Sequence, residues 1–381
     1  MLAMGCCDCL THFALHHPNR QRKRSVVDAF KDKRYINFDG KRRISADVKN
    51  ALADDHEWTF NVLHLERITE NHALSQLGIK IFERWKVQET LRCSDDIIVR
   101  WFNTMEAHYH NVNPYHNATH AADVLQATSY FLDSPTVAKN VEDIHATAAL
   151  IAASIHDLDH PGRGNAFLIN TRQPLALIYN DQSVLENHHV ALAFQLSLQP
   201  SNNVNIFARL TRDEFIALRQ AVVDMVLATD MSRHFEYLTK FQQTVDTLQQ
   251  LLKNCDEPRN SVSISICRMM IKCADIGNPT REWSLCYKWA MRIVEEYFDQ
   301  TKEETEKGLP LTMALFDRNT CNVPLTQCGF IDMFARETFT SWSEFAQLPE
   351  ILTQLEKNYE RWKRQTIEWN PANNHNLLSE T

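Results

Sequence analysis

Glycine is scarce in this chain: eight residues in 381, about 2% against the about 7% usual in soluble proteins. Proline is sparse too, with twelve residues, about 3% against about 5%. Tight hairpins and dinucleotide-binding loops consume glycine, so the deficit counts against all-β and Rossmann architectures and for a mostly helical one. No apolar run approaches the roughly 18 residues that a membrane span needs. The apolar core of the opening MLAMGCCDCL is too short for a secretory signal. The ten cysteines include no repeated CxxC pairs, so they read as reduced cytoplasmic thiols and not as a disulfide framework or zinc ribbon. Positive charge is also in deficit: 40 Lys+Arg against 48 Asp+Glu give a net charge of −8, which disfavours nucleic acid as a partner.

What is present is an ordinary globular balance, 44% hydrophobic and 23% charged residues. The basic residues are concentrated at the start. Residues 1–45 carry a net +6 and the remainder −14. Residues 1–45 therefore read as a basic, cysteine-containing arm. Cys6, Cys7 and Cys9 beside this charge allow acylation and contact with an anionic membrane, with a solvated tail the favoured reading. Arg42-Arg43-Ile44-Ser45 suits a basic-directed kinase acting on Ser45. No Gly/Ser linker and no internal repeat divides residues 46–370, which are expected to form one large helical unit followed by a tail over 371–381.

Helical periodicity supports this. Ser94 is expected to cap a helix with Ile97, Ile98, Trp101, Phe102 and Met105 on one face. Thr211-Arg212-Asp213-Glu214 spells a capping box ahead of Phe215, Leu218, Val222 and Met225. Trp289, Ile293 and Tyr297 recur every four residues. Residues 146–156 are apolar almost all round, the mark of a buried helix.

Nine of the 17 histidines lie between His108 and His189. Imidazole is costly to bury without a partner, so this crowding calls for a function. His116 and His120, in Tyr115-His116-Asn117-Ala118-Thr119-His120, would share a face if this stretch is helical, able to bind a metal together or to divide metal binding and acid–base work. His156-Asp157-Leu158-Asp159-His160-Pro161-Gly162 ends the buried helix, with Pro161 and Gly162 expected to stop it. Four titratable residues in five at such a place cost several kcal/mol unless they are paired or coordinate a metal. Mixed imidazole and carboxylate donors suit zinc, iron or manganese. Asp275, in Cys273-Ala274-Asp275-Ile276-Gly277-Asn278-Pro279, reads alone as a helix cap. Val184-Leu185-Glu186-Asn187-His188-His189 reads alone as a surface patch or as support for a site. Together these motifs suffice for a two-metal site, with Asp157 the natural bridging carboxylate and a spare imidazole to protonate an oxygen leaving group.

The sequence resembles the catalytic domain of the class I cyclic nucleotide phosphodiesterases over about residues 46–370. YHNATHAADV, HDLDHPG, SVLENHH, MVLATDM, CADIGNP and QCGF stand in that family's order. Within the family it is most similar to the high-affinity, cAMP-specific branch that resists the inhibitor IBMX, the eighth in the usual count. AALIAASIHDLDHPGRGNAFL, LALIYNDQSVLE, HVALAFQL, VNIF, EEYFDQTKEE, and GLP followed by FDRNTC carry that likeness.

The resemblance implies an all-α fold of about sixteen helices with an HD-type metal site. It implies that His120, His156, Asp157 and Asp275 hold zinc, and that Asp157 also holds a second ion, magnesium or manganese, whose waters are ordered by His160, Glu186, His189 and Thr229. His116 would be the general acid for the 3′ oxygen, a hydroxide between the metals would attack phosphorus, and cAMP would yield 5′-AMP. Gln327 would recognise the base, Phe330 and Ile293 would sandwich it, Asn278 would contact adenine, and Tyr115 would line the phosphate pocket. The chain departs from that branch at Asp230-Met231-Ser232, at Asn187 and at Cys328-Gly329, none of them an implied metal ligand. The receiver-like and PAS regions of the branch's full-length members have no counterpart in the sequence. Competing readings are a dual cAMP/cGMP enzyme, an HD-type phosphohydrolase of nucleotide mono- or triphosphates, and a non-catalytic cyclic nucleotide sensor. The sensor would be expected to have lost a ligand or the acid, and this chain keeps all five residues.

Overall fold

The computed structural model describes residues 45–251 and 259–380. The expectations for the acylated arm, Cys6, Cys7 and Cys9 among them, lie outside the described residues. Among those described there is no strand, and the helices follow one another as α1 (Ala46–Ala51), α2 (Val62–Ile68), α3 (Ala73–Arg84), α4 (Val87–Leu91), α5 (Asp95–Glu106), α6 (Ala118–Leu132), α7 (Pro135–Asn140), α8 (Asp143–Ile155) and α9 (Asn165–Asn170). They continue as α10 (Pro174–Ile178), α11 (Val184–Leu198), α12 (Arg212–Leu227), α13 (His234–Leu251), α14 (Arg259–Asp275), α15 (Trp283–Glu306), α16 (Val323–Phe330), α17 (Arg336–Ala346) and α18 (Pro349–Glu368). None of them is long and apolar enough to cross a membrane.

The core is organised around α8. Its sequence DIHATAALIAASI is apolar on every side, and Thr147 to Ile155 are all buried. The small alanines let neighbours approach closely, and α6, α11, α12 and α14 all pack on it. Three chemistry-bearing positions follow from this arrangement. The first turn of α6 carries His120, the C-cap of α8 is His156, and the last residue of α14 is Asp275. Three helix ends therefore meet at the C-terminal end of α8.

The local signals hold with three adjustments. The capping box at Thr211 forms, with Thr211 Oγ1 accepting from Glu214 N and Glu214 accepting from Thr211 N. Ser94 stands at the N-cap of α5, but its side chain makes no capping hydrogen bond. α8 ends at Ile155, before Pro161 and Gly162 are reached. The chain leaves the helix through a turn in which Asp159 is left-handed at φ 62. The stretch expected as a tail is packed. Asn374 is buried and donates to the carbonyls of Arg318 and Cys321, and Leu377 belongs to the core.

The segment after Asp275 is locked by a buried cation. Arg281 pairs with Asp123 at 2.8 Å, donates to Gln126 Oε1 and Trp58 O, and lies 3.9 Å over the Trp58 ring. Asn358 donates to the carbonyls of Pro279 and Arg281, both at 2.7 Å. These bonds fix Asn278, in the short turn Asn278–Thr280, against α6 and α18. Ser45 is exposed and accepts from Val48 N at 3.2 Å, capping α1. The cysteines at 93, 267, 273, 286, 321 and 328 are free thiols.

Candidate active site

His116 and His120 do not share a helix. Asn117 is the N-cap of α6, accepting from Thr119 N and His120 N, so His116 sits in the preceding loop. The two imidazoles thereby separate into two environments, and the alternative that divides their work is the one the backbone favours.

His120 joins His156, Asp157 and Asp275 in one cluster whose donor atoms all lie within 4.8 Å of one another. His120 Nε2 is 3.1 Å from Asp275 Oδ1 and 3.5 Å from Asp157 Oδ2. His156 Nε2 is 3.1 Å from Asp157 Oδ2, 3.4 Å from Asp275 Oδ1 and 3.3 Å from His120 Nε2. The Nδ1 atom of His156 meets the Ala153 carbonyl at 3.1 Å, so Nδ1 carries the proton and Nε2 offers a lone pair. Two imidazole nitrogens and two carboxylates converge here, and carboxylates so close together need positive charge between them. Burial works against charge on His156, yet Asp157 and Asp275 hold its pKa well above the usual range. A divalent cation meets the same demand. Bonds of roughly 2.0–2.2 Å to zinc give tetrahedral edges of roughly 3.3–3.6 Å, close to the spacings seen. The residues fit the metal that the motifs imply.

Asp157 faces two ways. Its Oδ2 points into this cluster, and its Oδ1 lies 3.9 Å from His189 Nε2. Asp157, His160 and His189 form a second group of converging donors. His189 gives its Nδ1 proton to the Leu158 carbonyl at 2.6 Å, and His160 Nδ1 accepts from Gly162 N at 3.0 Å. Burial pushes His189 down to about 4, and burial with the nearby His116 charge holds His160 well below its usual value. Both are neutral, presenting a bare Nε2 and an Nε2–H respectively, one acceptor and one donor for water. Glu186, half-buried on α11, accepts twice from Asn165, and burial with the Asp230 charge raises it to about 7. The Thr229 hydroxyl donates to the Val226 carbonyl at 2.8 Å, just past the end of α12.

His116 stacks on His160 with ring centroids 4.0 Å apart. The sequence reading missed its partner, Glu296. Glu296 Oε2 is 2.6 Å from His116 Nδ1, and Oε1 accepts from the backbone of His116 at 2.7 Å and of Tyr115 at 2.8 Å. Burial lowers the His116 pKa, but the Glu296 charge and hydrogen bond outweigh it and hold the imidazole at about 9. A signal existed: Glu296 falls seven residues after Trp289 and three after Ile293, on the buried stripe of α15. Asp159 was also misjudged as one more titratable group of the turn. It binds His110 at 2.7 Å and His188 at 2.9 Å, tying the loop before α6 to α11.

Tyr115 and Asn278 are brought to the cluster. Asn278 Nδ2 donates to the Tyr115 hydroxyl, and the Tyr115 ring lies 4.4 Å from that of His120. Ile293 is half-buried on α15, and Gln327 and Phe330 are half-buried on α16. No hydrogen bond or ring contact ties these three to the metal cluster among the described residues. The Gln327 amide has no protein hydrogen-bond partner there, and Phe330 packs on Phe334.

Comparison with known proteins places this site in a class. The chain belongs to the 3'5'-cyclic nucleotide phosphodiesterase family, whose model matches residues 115–357. It is 64% identical over 96% of its length to a Caenorhabditis elegans protein named "Probable 3',5'-cyclic phosphodiesterase pde-6". It is 44% identical over 83% of its length to the human "High affinity cAMP-specific and IBMX-insensitive 3',5'-cyclic phosphodiesterase 8A". The chain covers 47% and 39% of those two proteins. The phosphodiesterase domain of the RhoPDE fusion protein of the choanoflagellate Salpingoeca rosetta, 30% identical, superposes with a TM-score of 0.74 over 84% of this chain and 98% of that one.

Proposed function

We propose that this chain hydrolyses 3',5'-cyclic AMP to 5'-AMP. The observation that carries the reading is Asp157, which shares one oxygen with His120, His156 and Asp275 and turns the other toward His160 and His189. His120, His156, Asp157 and Asp275 would hold zinc. Asp157 would also hold a magnesium or manganese ion, and His160, Glu186, His189 and Thr229 would order its waters. Such a pair of ions supplies Lewis acidity toward phosphoryl oxygens and an acidified water at neutral pH.

The chain's own residues account for the rest. His116 is the general acid: Glu296 keeps it protonated through neutral pH and fixes its orientation, so a proton is ready for the 3′ oxygen as the P–O bond breaks. Asn278 spends its Nδ2 on Tyr115, leaving Oδ1 to accept from the amino group of adenine. Gln327 pairs with the base, and Phe330 and Ile293 hold its two faces. The human relative's name, with its cAMP specificity, supports the same substrate. The free thiols fit a reducing, cytoplasmic setting.

The test is hydrolysis of cAMP and cGMP by the purified chain with magnesium, before and after metal stripping. Metal-dependent release of 5′-AMP, with cGMP much the poorer substrate, is the expected result. The unanchored Gln327 amide can turn to serve either purine, so a dual-specificity enzyme is the second reading. Equal turnover of the two nucleotides would establish it. No turnover of either would overturn the function.

A further inference from the structure

The base platform assigned to Phe330 does not stand alone. Between α16 and α17 the helix passes through one π turn, Ile331–Ala335, closed by Arg336 N donating to Ile331 O. π turns inside helices are frequent at functional sites. Here the turn carries Phe334 one turn beyond Phe330, and the two rings meet with centroids 5.7 Å apart at 41°. Phe334 also stacks on Phe235, 5.8 Å away at 26°, and receives the His234 ring edge-on at 5.4 Å.

The backbone of Phe334 is held as well. The Thr338 hydroxyl donates to the Phe334 carbonyl at 2.7 Å, and therefore accepts from His234 Nε2–H at 3.0 Å. His234 is fully buried, and burial together with the nearby Lys272 charge pushes it down to about 4, so it stays a neutral, fixed donor. Phe334 is thus gripped by a face, an edge and a backbone bond, and its one remaining ring contact among the described residues is Phe330. At the far end, Phe235 is 53% exposed, so the series of rings runs from the base platform to solvent. His234 and Phe235 open α13 five and six residues after Thr229, on the segment that leaves the metal-facing turn.

We propose that Phe334 is a positioning residue for the base: braced by His234 and Phe235, it fixes the plane of Phe330 and so sets affinity for the purine without entering the chemistry. This inference rests on the proposed function, in which Phe330 stacks on the base.

The experiment measures kcat and KM for cAMP in the full chain carrying Phe334→Leu, Phe330→Leu and both. An aromatic pair contributes enough that Phe334→Leu should raise KM roughly three- to tenfold, with kcat held within about twofold. The double variant should be no worse than Phe330→Leu, because Phe334 acts only through that ring. A loss of packing alone would lower the folded fraction and kcat and leave KM in place. An unmoved KM, a fall confined to kcat, or additive effects in the double variant would overturn the proposal. Should Phe334→Leu fail to fold, Phe235→Leu at the exposed end should raise KM about twofold, and an unchanged KM there would overturn it equally. If the unmodified chain turns over cAMP and these variants match it, the brace alone falls. If the unmodified chain cleaves no cyclic nucleotide, the proposed function falls and takes the brace with it.

Discussion

Glu296 holds His116 by two bonds, one to the ring and one to the backbone: Oε2 lies 2.6 Å from Nδ1, and Oε1 accepts from the amide at 2.7 Å. The imidazole is thereby fixed in direction and kept charged in a half-buried place, where desolvation alone would lower its pKa. The sign of the consequence is definite. A histidine held up at about 9 is a competent acid at neutral pH and loses its proton as the pH rises through that value. Glu296→Gln removes the charge that opposes burial, so the pKa must fall. The alkaline limb of kcat/KM against pH should move to lower pH, and activity near pH 8 should fall more than activity near pH 6. An unmoved alkaline limb would assign that limb to another group.

The same geometry separates the roles of His116 and Asp157. His116 lies outside the cluster around His120, His156 and Asp275, whereas Asp157 is part of it. His116→Ala should lower kcat by about 10²–10⁴, the usual contribution of a general acid, while zinc stays bound. Asp157→Ala should lose metal and turnover together, by more than the about 10- to 100-fold typical of outer-shell partners. Metal analysis beside the hydrolysis assay distinguishes the two. Zinc lost from His116→Ala would make His116 a ligand, and metal and rate retained by Asp157→Ala would remove the bridging carboxylate.

The four residues that cluster were legible in the sequence, and the supports around them were not. His120, His156, Asp157 and Asp275 stand in short motifs, and donors of those types ending apolar helices point to a metal before any fold is known. Glu296 lies in a run of glutamates, and only its register with Trp289 and Ile293 marks it as inward-facing. Asp159 was visible, but its partners His110 and His188 sit on a loop and a helix that only tertiary folding brings together. The Phe330–Phe334 contact is an i,i+4 pair that the spacing allows, but the π turn that follows Phe330 leaves no periodic trace in the residues. The helix ends were similarly veiled: Pro161 reads as a stop, yet α8 has already ended at Ile155.

Arg281 and Asp123 make a buried pair separated by 158 residues in sequence. Arg281 is almost wholly buried, and its guanidinium also serves Trp58 and Gln126. Removing one member of such a pair leaves an uncompensated buried charge, which costs about 3–5 kcal/mol. Arg281→Met should therefore destabilise the chain by about that amount in urea unfolding. Because Arg281 closes the turn that holds Asn278, the surviving folded enzyme should also show a raised KM for cAMP. Adding Asp123→Leu removes the orphaned charge and should restore much of the stability but not the KM. Full restoration of both would make the pair a purely structural element.

Gly162 couples backbone conformation to the loop that carries His116. Its φ is +70, and a Cβ there would stand 2.9 Å from Asn113 Oδ1. Asn113 donates to the carbonyls of both His116 and His160, so it sets the loop that carries His116 against the turn that follows Asp157. An alanine at 162 meets a left-handed backbone that costs about 1 kcal/mol or more, and it pushes on Asn113 as well. Gly162→Ala should lower stability by about 1–3 kcal/mol and displace His116 from its place beside His160. The activity loss should then exceed what the stability loss explains: kcat should fall at least about tenfold at a temperature where the variant is fully folded. Asn113→Ala gives the control, because it introduces no clash but frees both carbonyls. If Gly162→Ala loses stability with kcat intact, the glycine serves the fold alone. If the two variants lose kcat alike, Asn113 is the link through which the turn after α8 holds His116 in line.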